Sequence, residues 1–576
     1  MNPLLAKLLE LRGITDEREV EEFFNPSLAA LAKPEELPGV PEAVEAILAA
    51  LKGRRRIVVF GDYDCDGVCA TAILTSTLRT LEASVMDDLP EPHRELALKE
   101  GTRVSTFLPK RLTEGYGMSD DSVARLLEEV PDVALVVTVD NGINSIAQVA
   151  QLTGRGVEVV VTDHHLPSVN AFGKLLLPNA SAVVNPKVNA PAHLSELCGA
   201  AVAFLLANAL VSTATERGMY SGEKVGGPLL VLAGLATVTD VMPVLGQNRI
   251  LVAEALRRFH SWAPIGLKEL YQRASRTTAP VLTTKDFGFL IGPRINAAGR
   301  VASGEESLEL ILTTDREIAR EAARIVDGRN VERKQIEGGM VDEALKQLRP
   351  GAAAQIIDIP DGHQGVAGIV AARIMERVKV PTGVIAGGHG SARAPEGYNV
   401  RDALQACSKY LTRYGGHAAA AGFSVKDGCI EAFRDAFAAE CAKQREQWLA
   451  TRQTEASAVS AGGLEYDLEV APADLTLEFA QDLARMEPFG EGNPEPKFLF
   501  RHVFFEDVRP LGQDAKHLAF TVNGFKAVWW GHGDLVEELH TTALTARDLV
   551  FTVEISTYGG AHVELRPVEI IIDDGK

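Results

Sequence analysis

The most constraining feature of the chain is an acidic triplet that stands between an apolar run and a predicted helix. Asp62, Asp64 and Asp66 occupy alternate positions directly after the apolar residues 57–60. Like charges packed this closely raise the free energy of a fold unless a cation lies among them. We therefore interpret this segment as part of a metal site.

Two later segments repeat the design, each an apolar β run that ends on an acid. Residues 136–139 lead into Asp140, and residues 159–161 lead into the polar residues 163–165. The carboxyl ends of parallel strands meet at one edge of a sheet, so these side chains are expected to converge. A lone acid after a strand is more often a helix N-cap, but the repetition of the pattern favours a metal centre.

Length and composition indicate a globular protein of several domains. The 576 residues are 46% hydrophobic and 24% charged, which suits roughly two to four domains. We find no apolar run of 18 residues and no signal peptide, so a cytoplasmic location without membrane association is expected. Six scattered cysteines do not suggest a disulfide framework. The net charge of −20 argues against broad coating by nucleic acid but permits a local basic channel.

Periodicity and the placement of Pro and Gly predict an α/β architecture in five regions. In chain order they are an N-terminal helical cap (1–50), a doubly wound parallel-sheet domain (51–315), a long linking helix (316–348), a second and smaller α/β domain (349–445), and linker helices followed by a small β-barrel (446–576). A polar excursion at 87–101 interrupts the first domain. The basic residues of the long helix fit either a solvated face or the wall of a nucleic-acid channel.

Together these motifs resemble those of the DHH phosphoesterase superfamily. Further segments are similar to its long, single-strand-specific exonuclease members, to the DHH-associated domain and to the entry into an oligonucleotide-binding (OB) fold. The segments that carry the resemblance, of which the first four match the superfamily's motifs in order, are 62–67, 140–142, 163–165, 237–240, 292–300, 362–370, 390–393, 415–417 and 488–494. The resemblance implies a hydrolase that degrades single-stranded DNA from its 5′ end in DNA recombination and repair.

The resemblance also implies roles for the acidic residues and histidines. Oxygen ligands with one imidazole suit Mn²⁺ or Mg²⁺, and two such ions activate water and neutralise charge on a phosphoryl group. Asp140 is the expected bridge and Asp64 is expected to serve one ion. Asp62 and His165 are expected behind the ligands or at the scissile phosphate. The ligands expected at the second ion are Asp66, His164 and Asp240.

Two features depart from the family pattern. Phe60 stands where some relatives have a histidine, so a water is expected to replace that ligand. The excursion at 87–101 is unfamiliar and would alter access to the groove.

A 5′ exonuclease needs a pocket for the terminal phosphate, which arginine side chains and backbone N–H groups provide. Arg373 suits a salt bridge to Glu376 or another acid equally well. The tryptophans suit the barrel core equally well, although one of the two is expected to face outward. The candidate substrate-binding residues are Arg111, Arg294, Asn296, His363, Arg373, Ser391, Arg393, His417, Trp529 and Trp530.

Other functions remain open from the sequence. A phosphodiesterase for short oligonucleotides or cyclic dinucleotides, a non-catalytic replication scaffold and a pyrophosphatase of related fold are the alternatives. The long middle segment and the β-rich tail favour longer single strands as the substrate. The presence of every expected acid argues against a non-catalytic scaffold. Single-stranded DNA is the expected partner, the resemblance adds a single-strand-binding protein and a helicase, and a monomer is expected.

Overall fold

We analysed a computed structural model of the chain. It describes residues 2–91, 93–170, 172–222, 226–275, 281–455, 465–512, 514–541, 545–556 and 560–572. The chain forms two compact units: unit 1 lies within 1–31, 241–256 and 459–576, and unit 2 within 32–240 and 257–458.

The helices, in chain order, are α1 (Pro3–Leu11), α2 (Glu17–Phe24), α3 (Val40–Lys52), α4 (Cys65–Asp87), α5 (His93–Glu100), α6 (Asp120–Glu129), α7 (Ile146–Thr153), α8 (Gly199–Glu216), α9 (Gly227–Thr239), α10 (Gly246–Trp262), α11 (Ile265–Ala274), α12 (Gly292–Val301), α13 (Gly304–Leu312), α14 (Arg316–Lys346), α15 (Gln364–Val378), α16 (Val400–Ala406), α17 (Ile430–Glu455), α18 (Leu477–Ala484) and α19 (Val536–Thr541).

The strands are β1 (Arg56–Phe60), β2 (Val104–Phe107), β3 (Val133–Thr138), β4 (Glu158–Thr162), β5 (Ala182–Val184), β6 (Gln355–Ile359), β7 (Thr382–Ala386), β8 (His389–Arg393), β9 (Leu411–Gly416), β10 (Ala420–Val425), β11 (Leu468–Glu469), β12 (Phe498–Val503), β13 (Glu506–Leu511), β14 (His517–Val522), β15 (Phe525–Trp529), β16 (Arg547–Ser556) and β17 (His562–Ile572).

Unit 2 is built on a parallel sheet with the strand order β2-β1-β3-β4-β5. Its strands are almost wholly apolar because both faces of the sheet are covered. Val58 and Phe60 of β1 pack in one core with residues of α6 and α7. The intervening residues Ile57 and Val59 therefore point to the other face, where α3 and α4 contact the strand. The predicted doubly wound domain is confirmed.

A second sheet in unit 2 has the order β6-β7-β8-β10-β9, with β6 and β7 parallel and the remaining pairs antiparallel. The helix α15 packs against β7 and β8, and α14 packs against α15. This is the second, smaller α/β region expected from the sequence. The sequence predicts a long helix at 316–348, and α14 forms it as one unbroken helix that ends at Lys346.

Most basic residues of α14 form ion pairs. Arg320 pairs with Glu317, Arg324 with Glu321, and Arg329 with Glu306, at 2.6 to 2.8 Å. These contacts favour the structural interpretation of the helix over that of a nucleic-acid channel.

Unit 1 contains a mixed sheet with the order β11-β12-β16-β17-β15-β14-β13. Its core is rich in phenylalanine, for example Phe498, Phe500 and Phe551, which are all fully buried. Leu5 and Leu8 of α1 and Phe23 belong to the same core. The expected N-terminal cap, 1–50, is therefore divided: α1 and α2 lie with the β-rich unit and α3 with the first sheet.

Three details complete the fold. The excursion at 87–101 contains a helix, α5, on which Leu96 and Leu98 are exposed. The helix α8 is long and apolar enough to cross a membrane, but 72% of it is buried inside unit 2, where it packs against α4. Five of the cysteines are buried and all six are free, as the sequence suggests.

Candidate active site

The acidic segments converge because their strands are parallel neighbours. The loops after β1, β3 and β4 all leave the sheet at its carboxyl edge, and β1 pairs with β3 and β3 with β4. A fourth acid, Asp240, caps the C-terminus of α9. Asp140 itself adopts a left-handed conformation with φ of 61°, which turns the chain sharply after β3. The topology thus gathers side chains that are far apart in sequence.

The gathered side chains form three overlapping groups, each with one ligand atom per residue and all of these atoms within 4.8 Å of one another. Asp140 belongs to two of the groups, and so does His164. These are Asp62, Asp64 and Asp140; Asp66, His164 and Asp240; and Asp140, His164 and His165.

His164 lies at the centre of the cluster. Its Nε2 atom is 3.2 Å from Asp140 Oδ1, 3.5 Å from Asp240 Oδ2 and 3.6 Å from Asp66 Oδ2. Burial lowers the pKa of its imidazole, so the neutral form, which can ligate a metal, is favoured.

The cluster is buried and electrostatically strained. Burial, followed by the charge of Asp64, raises the pKa of Asp62 well above its usual value, and burial with the charge of Asp66 does the same for Asp140. The same two causes, burial and Asp66, raise the pKa of Asp240 to about 9. Carboxylates with such pKa values strongly favour a proton or a cation.

The hydrogen bonding fits a metal site. Among the described residues, no hydrogen bond of normal geometry reaches either carboxylate oxygen of Asp62 or Oδ1 of Asp140. Buried carboxylate oxygens are costly without a partner. Oxygen donors with one central imidazole are ligands that suit Mn²⁺ or Mg²⁺, so the residues present fit such ions. Asp62 stands beside Asp64 and Asp140 in this cluster, whereas the sequence suggested a place behind the ligands.

The N-terminus of α8 binds Asp66 and lies close to Asp140. Both oxygens of Asp66 accept hydrogen bonds, from the backbone N–H groups of Gly199 at 2.7 Å and Ala200 at 2.8 Å. A side chain at Gly199 would place its Cβ only 2.8 Å from Asp140 Oδ1. Glycine at this position therefore permits the helix to approach the acids.

Asp163 orients His165. The buried Asp163 carboxylate accepts hydrogen bonds from the backbone N–H groups of Ile143, His164 and His165 and from Nδ1 of His165 at 2.8 Å. Burial acts to raise the pKa of Asp163, but the bond and charge of His165 lower it overall. Burial likewise opposes the charged form of His165, yet Asp163 raises its pKa to about 9.

Tyr116 is a site residue that the sequence did not reveal. Its hydroxyl lies 3.0 Å from Nε2 of His165 and 3.2 Å from the backbone oxygen of Asp140. Gly115 and Gly117, both with positive φ, form the turns that place it there. The Gly115-Tyr116-Gly117 pattern indicates a sharp turn at this tyrosine, but of this stretch only Arg111 was predicted from the sequence as a site residue.

An arginine cluster adjoins the acids. The Arg111 guanidinium lies 4.9 Å above the ring of Tyr63, between Asp62 and Asp64 in sequence. Burial, then the charge of Arg111, lowers the pKa of Arg300 to about 10 and lowers that of Arg393 as well. The charge of Asp64 partly offsets this effect at Arg300. Three guanidinium groups that disfavour one another form a site for an anion.

The N-terminus of α15 completes this cluster. Arg393 donates from Nη1 to Ser391 Oγ at 3.1 Å. A Cβ at Gly368 would lie 2.7 Å from the Arg393 guanidinium, and one at Gly365 would lie 2.1 Å from the backbone oxygen of Arg300. The two glycines therefore allow the positive end of the helix to approach the arginines, an arrangement that favours phosphate.

Arg294 takes a different position from the one expected. It pairs with Asp327 at 2.9 Å and donates to the backbone oxygen of Leu290. Arg294 and Arg300 are six residues apart on α12, which places them about 120° apart around the helix. Arg300, which the sequence analysis did not propose, is the arginine of this helix that lies with Arg111 and Arg393.

Two other predicted substrate contacts have structural partners. Asn296 accepts a hydrogen bond from the backbone N–H of Cys65 at 2.7 Å and so holds the start of α4. Arg373 forms a salt bridge with Glu337 at 2.5 Å, which is the ion-pair alternative of the two that the sequence leaves open.

The predicted histidines lie at turns of the second sheet. His363 is the N-cap of α15 and accepts from the backbone N–H of Gly365 at 3.2 Å. His417 is exposed at the turn between β9 and β10, where its N–H donates to the Ala420 carbonyl at 2.8 Å.

The adjacent tryptophans differ in exposure, as expected. Trp529 is half-buried and stacks on His532 with ring centroids 3.9 Å apart. Trp530 is 58% exposed, with its ring against the edge of His517. Trp530 is therefore the one of the pair available for stacking on a base.

Comparison with known protein families gives three matches along the chain. Residues 56–231 match the DHH family N-terminal domain, residues 351–443 match the DHHA1 domain, and residues 466–567 match the RecJ OB domain.

Curated relatives cover most of the chain. The single-stranded-DNA-specific exonuclease RecJ of Dickeya dadantii is 36% identical over 517 residues, which span 86% of this chain and 83% of that protein. The protein of the same name from Escherichia coli is 34% identical over 607 aligned positions, spanning 99% of this chain and 95% of its own.

Solved structures agree with this likeness. RecJ from Thermus thermophilus in complex with Mn²⁺ superposes with a TM-score of 0.80 at 31% identity, covering all of this chain and 76% of the other. A manganese-bound exonuclease RecJ has a TM-score of 0.59 at 36% identity, covering 72% of this chain and 97% of its own.

Proposed function

The chain belongs to the RecJ family of single-stranded-DNA-specific exonucleases, and we propose that it hydrolyses single-stranded DNA from the 5′ end with two bound Mn²⁺ or Mg²⁺ ions. One observation carries this proposal. A cluster of acids that requires cations adjoins a cluster of arginines that requires an anion, and the two meet at Tyr63 and Asp64.

The acids divide into two ligand sets. Asp62 and Asp64 would hold one ion, and Asp66, His164 and Asp240 the other. Asp140, which is grouped with Asp62 and Asp64 and also with His164, would contribute to both sets. When bound, the two ions lower the pKa of a water nucleophile and neutralise charge on the phosphoryl group.

The chain's own residues position the substrate around this centre. The hydrogen bond that His165 Nδ1 donates to Asp163 fixes the His165 ring, so that Nε2 would donate to an oxygen of the scissile phosphate. The Tyr116 hydroxyl, at 3.0 Å from this nitrogen, limits rotation of the ring.

The arginine cluster defines the end of the strand. Arg111, Arg300 and Arg393, with Ser391 and the N-terminus of α15, would bind the terminal 5′ phosphate through charge-assisted hydrogen bonds. A strand held by its terminal phosphate presents a phosphodiester near the 5′ end to the acids. This geometry supports removal of nucleotides from that end. Internal phosphodiesters carry one fewer charge and would bind here less well.

The remaining assignments follow from the family and the sequence. We propose the regional boundaries 51–315, 316–348, 349–445 and 446–576, with residues 1–50 divided between two of these regions as described above. The β-rich region, including Trp530, would bind the single strand. His417 would contact the same strand. We further propose a cytoplasmic monomer that acts in recombination and repair beside a single-strand-binding protein and a helicase.

The test uses single-stranded DNA labelled at its 3′ end, incubated with the protein and Mn²⁺. We expect progressive shortening of the labelled strand from its 5′ end, with little cleavage of a blunt duplex of the same sequence. Asp140→Asn should abolish cleavage because it removes the bridging charge while preserving the shape of the side chain. Intact DNA from folded, Mn²⁺-loaded protein would refute the proposal.

A further inference from the structure

The segment that follows the paired histidines has an unusual charge. Residues 164–195 contain no Asp or Glu, although the chain has 78 acidic residues among 576, or one for about every seven positions. The ionisable side chains of this segment are Lys174, Lys187 and three histidines. In a protein with a net charge of −20, such a segment offers a polyanion an approach with little repulsion.

The same segment exposes large apolar side chains. Phe172 is 94% exposed, Leu166 61% and Val169 57%, and Leu176 and Leu177 are each 39% exposed. Single exposed apolar side chains are common, but a group of five within twelve residues forms a patch, and such patches mark binding surfaces.

The patch lies on a hairpin, 166–177, of which the structure describes residues 166–170 and 172–177. Val169 pairs with Leu175 across an antiparallel bridge, and the N–H of Leu176 donates to the Ser168 carbonyl at 2.8 Å. At the tip, Asn170 Oδ1 accepts from the N–H groups of Phe172 at 2.9 Å and Lys174 at 3.0 Å. These bonds hold the tip in the conformation that presents Phe172 to solvent.

The hairpin is fixed to two segments of the active site. It begins directly after His165, and it is clamped by Asn144, four residues after Asp140. The Asn144 amide donates to the Leu166 carbonyl at 3.0 Å, and its Oδ1 accepts from both N–H and Oγ of Ser168 at 2.8 Å. The exposed patch is therefore held in place by the same loops that hold the catalytic acids and histidines.

We propose that hairpin 166–177 is a nucleobase-binding surface of the active site, on which Phe172 stacks against an unpaired base of single-stranded DNA. This inference rests on the proposed function. An unpaired single strand combines a polyanionic backbone with planar apolar faces, and it matches a surface that lacks acids and exposes aromatic and aliphatic groups. A second copy of this chain, with its net charge of −20, matches the surface less well.

The surface would also contribute to strand selectivity. In a duplex, each base is covered above and below by its neighbours, so Phe172 finds a free face only where a base is unpaired or drawn out of the stack. The hairpin would thus favour single strands at a position beside the reaction centre, independently of the β-rich unit.

The test compares Phe172→Ala with the wild type and with Phe172→Trp, which retains an aromatic face. The matched control is Phe289→Ala, which removes a 77% exposed phenylalanine elsewhere in unit 2. Affinity is read by fluorescence anisotropy of a 5′-phosphorylated, 3′-labelled single strand without divalent metal, and KM and kcat are then measured with Mn²⁺. Circular dichroism checks that each variant is folded.

We expect Phe172→Ala to raise Kd and KM about tenfold with little change in kcat, and Phe172→Trp and Phe289→Ala to behave as the wild type. On an oligonucleotide whose 5′ region is abasic, the wild type and Phe172→Ala should bind equally, because no base is left to stack.

Three outcomes would overturn the inference. The first is equal affinity of Phe172→Ala and wild type for the normal strand. The second is a difference in affinity between the two proteins that is as large on the abasic strand as on the normal strand. The third is a change in the sedimentation of the DNA-free protein on mutation, which would indicate a protein interface. The proposed function is tested separately, since it fails only if the wild type does not shorten single-stranded DNA.

Discussion

Replacement of Arg300 by methionine should stabilise the free protein and weaken its binding of a 5′ phosphate. Burial and the charges of Arg111 and Arg393 lower the pKa of Arg300 from its ordinary value to about 10. This lowering measures how strongly the fold disfavours the charged form. An anion bound among the arginines would remove the penalty, whereas a neutral side chain of similar length avoids it altogether.

The size of both effects can be worked out from this shift. A lowering of the Arg300 pKa to about 10 corresponds to a cost on the order of 3 kcal/mol at neutral pH, which is an upper limit for the stabilisation by Arg300→Met. Loss of a charge-assisted hydrogen bond to the phosphate should weaken binding roughly ten- to hundredfold.

The assay measures melting temperature without DNA, and then compares affinities for strands that carry either a 5′ phosphate or a 5′ hydroxyl. Arg300→Met should raise the melting temperature and bind the two strands almost equally. Arg294→Met is the matched control, because it removes an arginine of the same helix that pairs with Asp327. This control should lower the melting temperature and retain the preference for the 5′ phosphate. A full 5′-phosphate preference in Arg300→Met, or its loss in Arg294→Met, would refute this assignment of the pocket.

Three other expectations concern the metal centre. Asp163→Asn should lower the single-turnover rate constant of cleavage about 10- to 100-fold, because His165 loses the carboxylate that orients it. A change of less than twofold would contradict this role. Tyr116→Phe should lower kcat about tenfold without changing the Kd for single-stranded DNA, and a change confined to Kd would contradict a positioning role. The metal-free protein should melt at a lower temperature at pH 9 than at pH 6, as measured by scanning fluorimetry. The folded pKa of Asp240, about 9, lies above its usual 3.8, so the folded state binds more protons across this range and loses stability as the pH rises. Mn²⁺ should reverse this trend, and a melting temperature that rises with pH in the metal-free protein would contradict the prediction.

The acid cluster could be predicted from the sequence because two simple rules determine it. An apolar run of three to five residues predicts a buried parallel strand, and parallel strands deliver the residues after them to one edge of the sheet. Asp64, Asp140 and His164 each follow such a run, so their convergence needs no knowledge of the loops.

The arginine pocket could not be assigned in the same way. Arg294 and Arg300 share one segment and one residue type, and the choice between them depends on how α12 is rotated against its neighbours. That rotation follows from long-range packing, such as the close contact of Gly299 with the backbone of Tyr63, where a Cβ would lie 2.4 Å from the Tyr63 carbonyl oxygen. Sequence periodicity does not record which face such a contact selects.

Loops and distant segments limited the prediction elsewhere. Tyr116 reaches His165 through a loop whose path depends on two glycines with positive φ. The packing of α1 with the β-rich core joins segments more than 450 positions apart, such as Leu5 and Phe479. No local pattern indicates such a partnership.

The most direct test of the two-metal site is nuclease activity measured against equivalents of Mn²⁺. Metal-free protein, at a concentration well above the Kd for the metal, is titrated with Mn²⁺ while the shortening of a 3′-labelled, 5′-phosphorylated single strand is followed. The arrangement of Asp62, Asp64, Asp66, Asp140, His164 and Asp240 predicts that activity rises to its maximum at two equivalents and is absent without metal. Full activity at one equivalent, or any activity in the presence of excess chelator, would contradict a two-metal site.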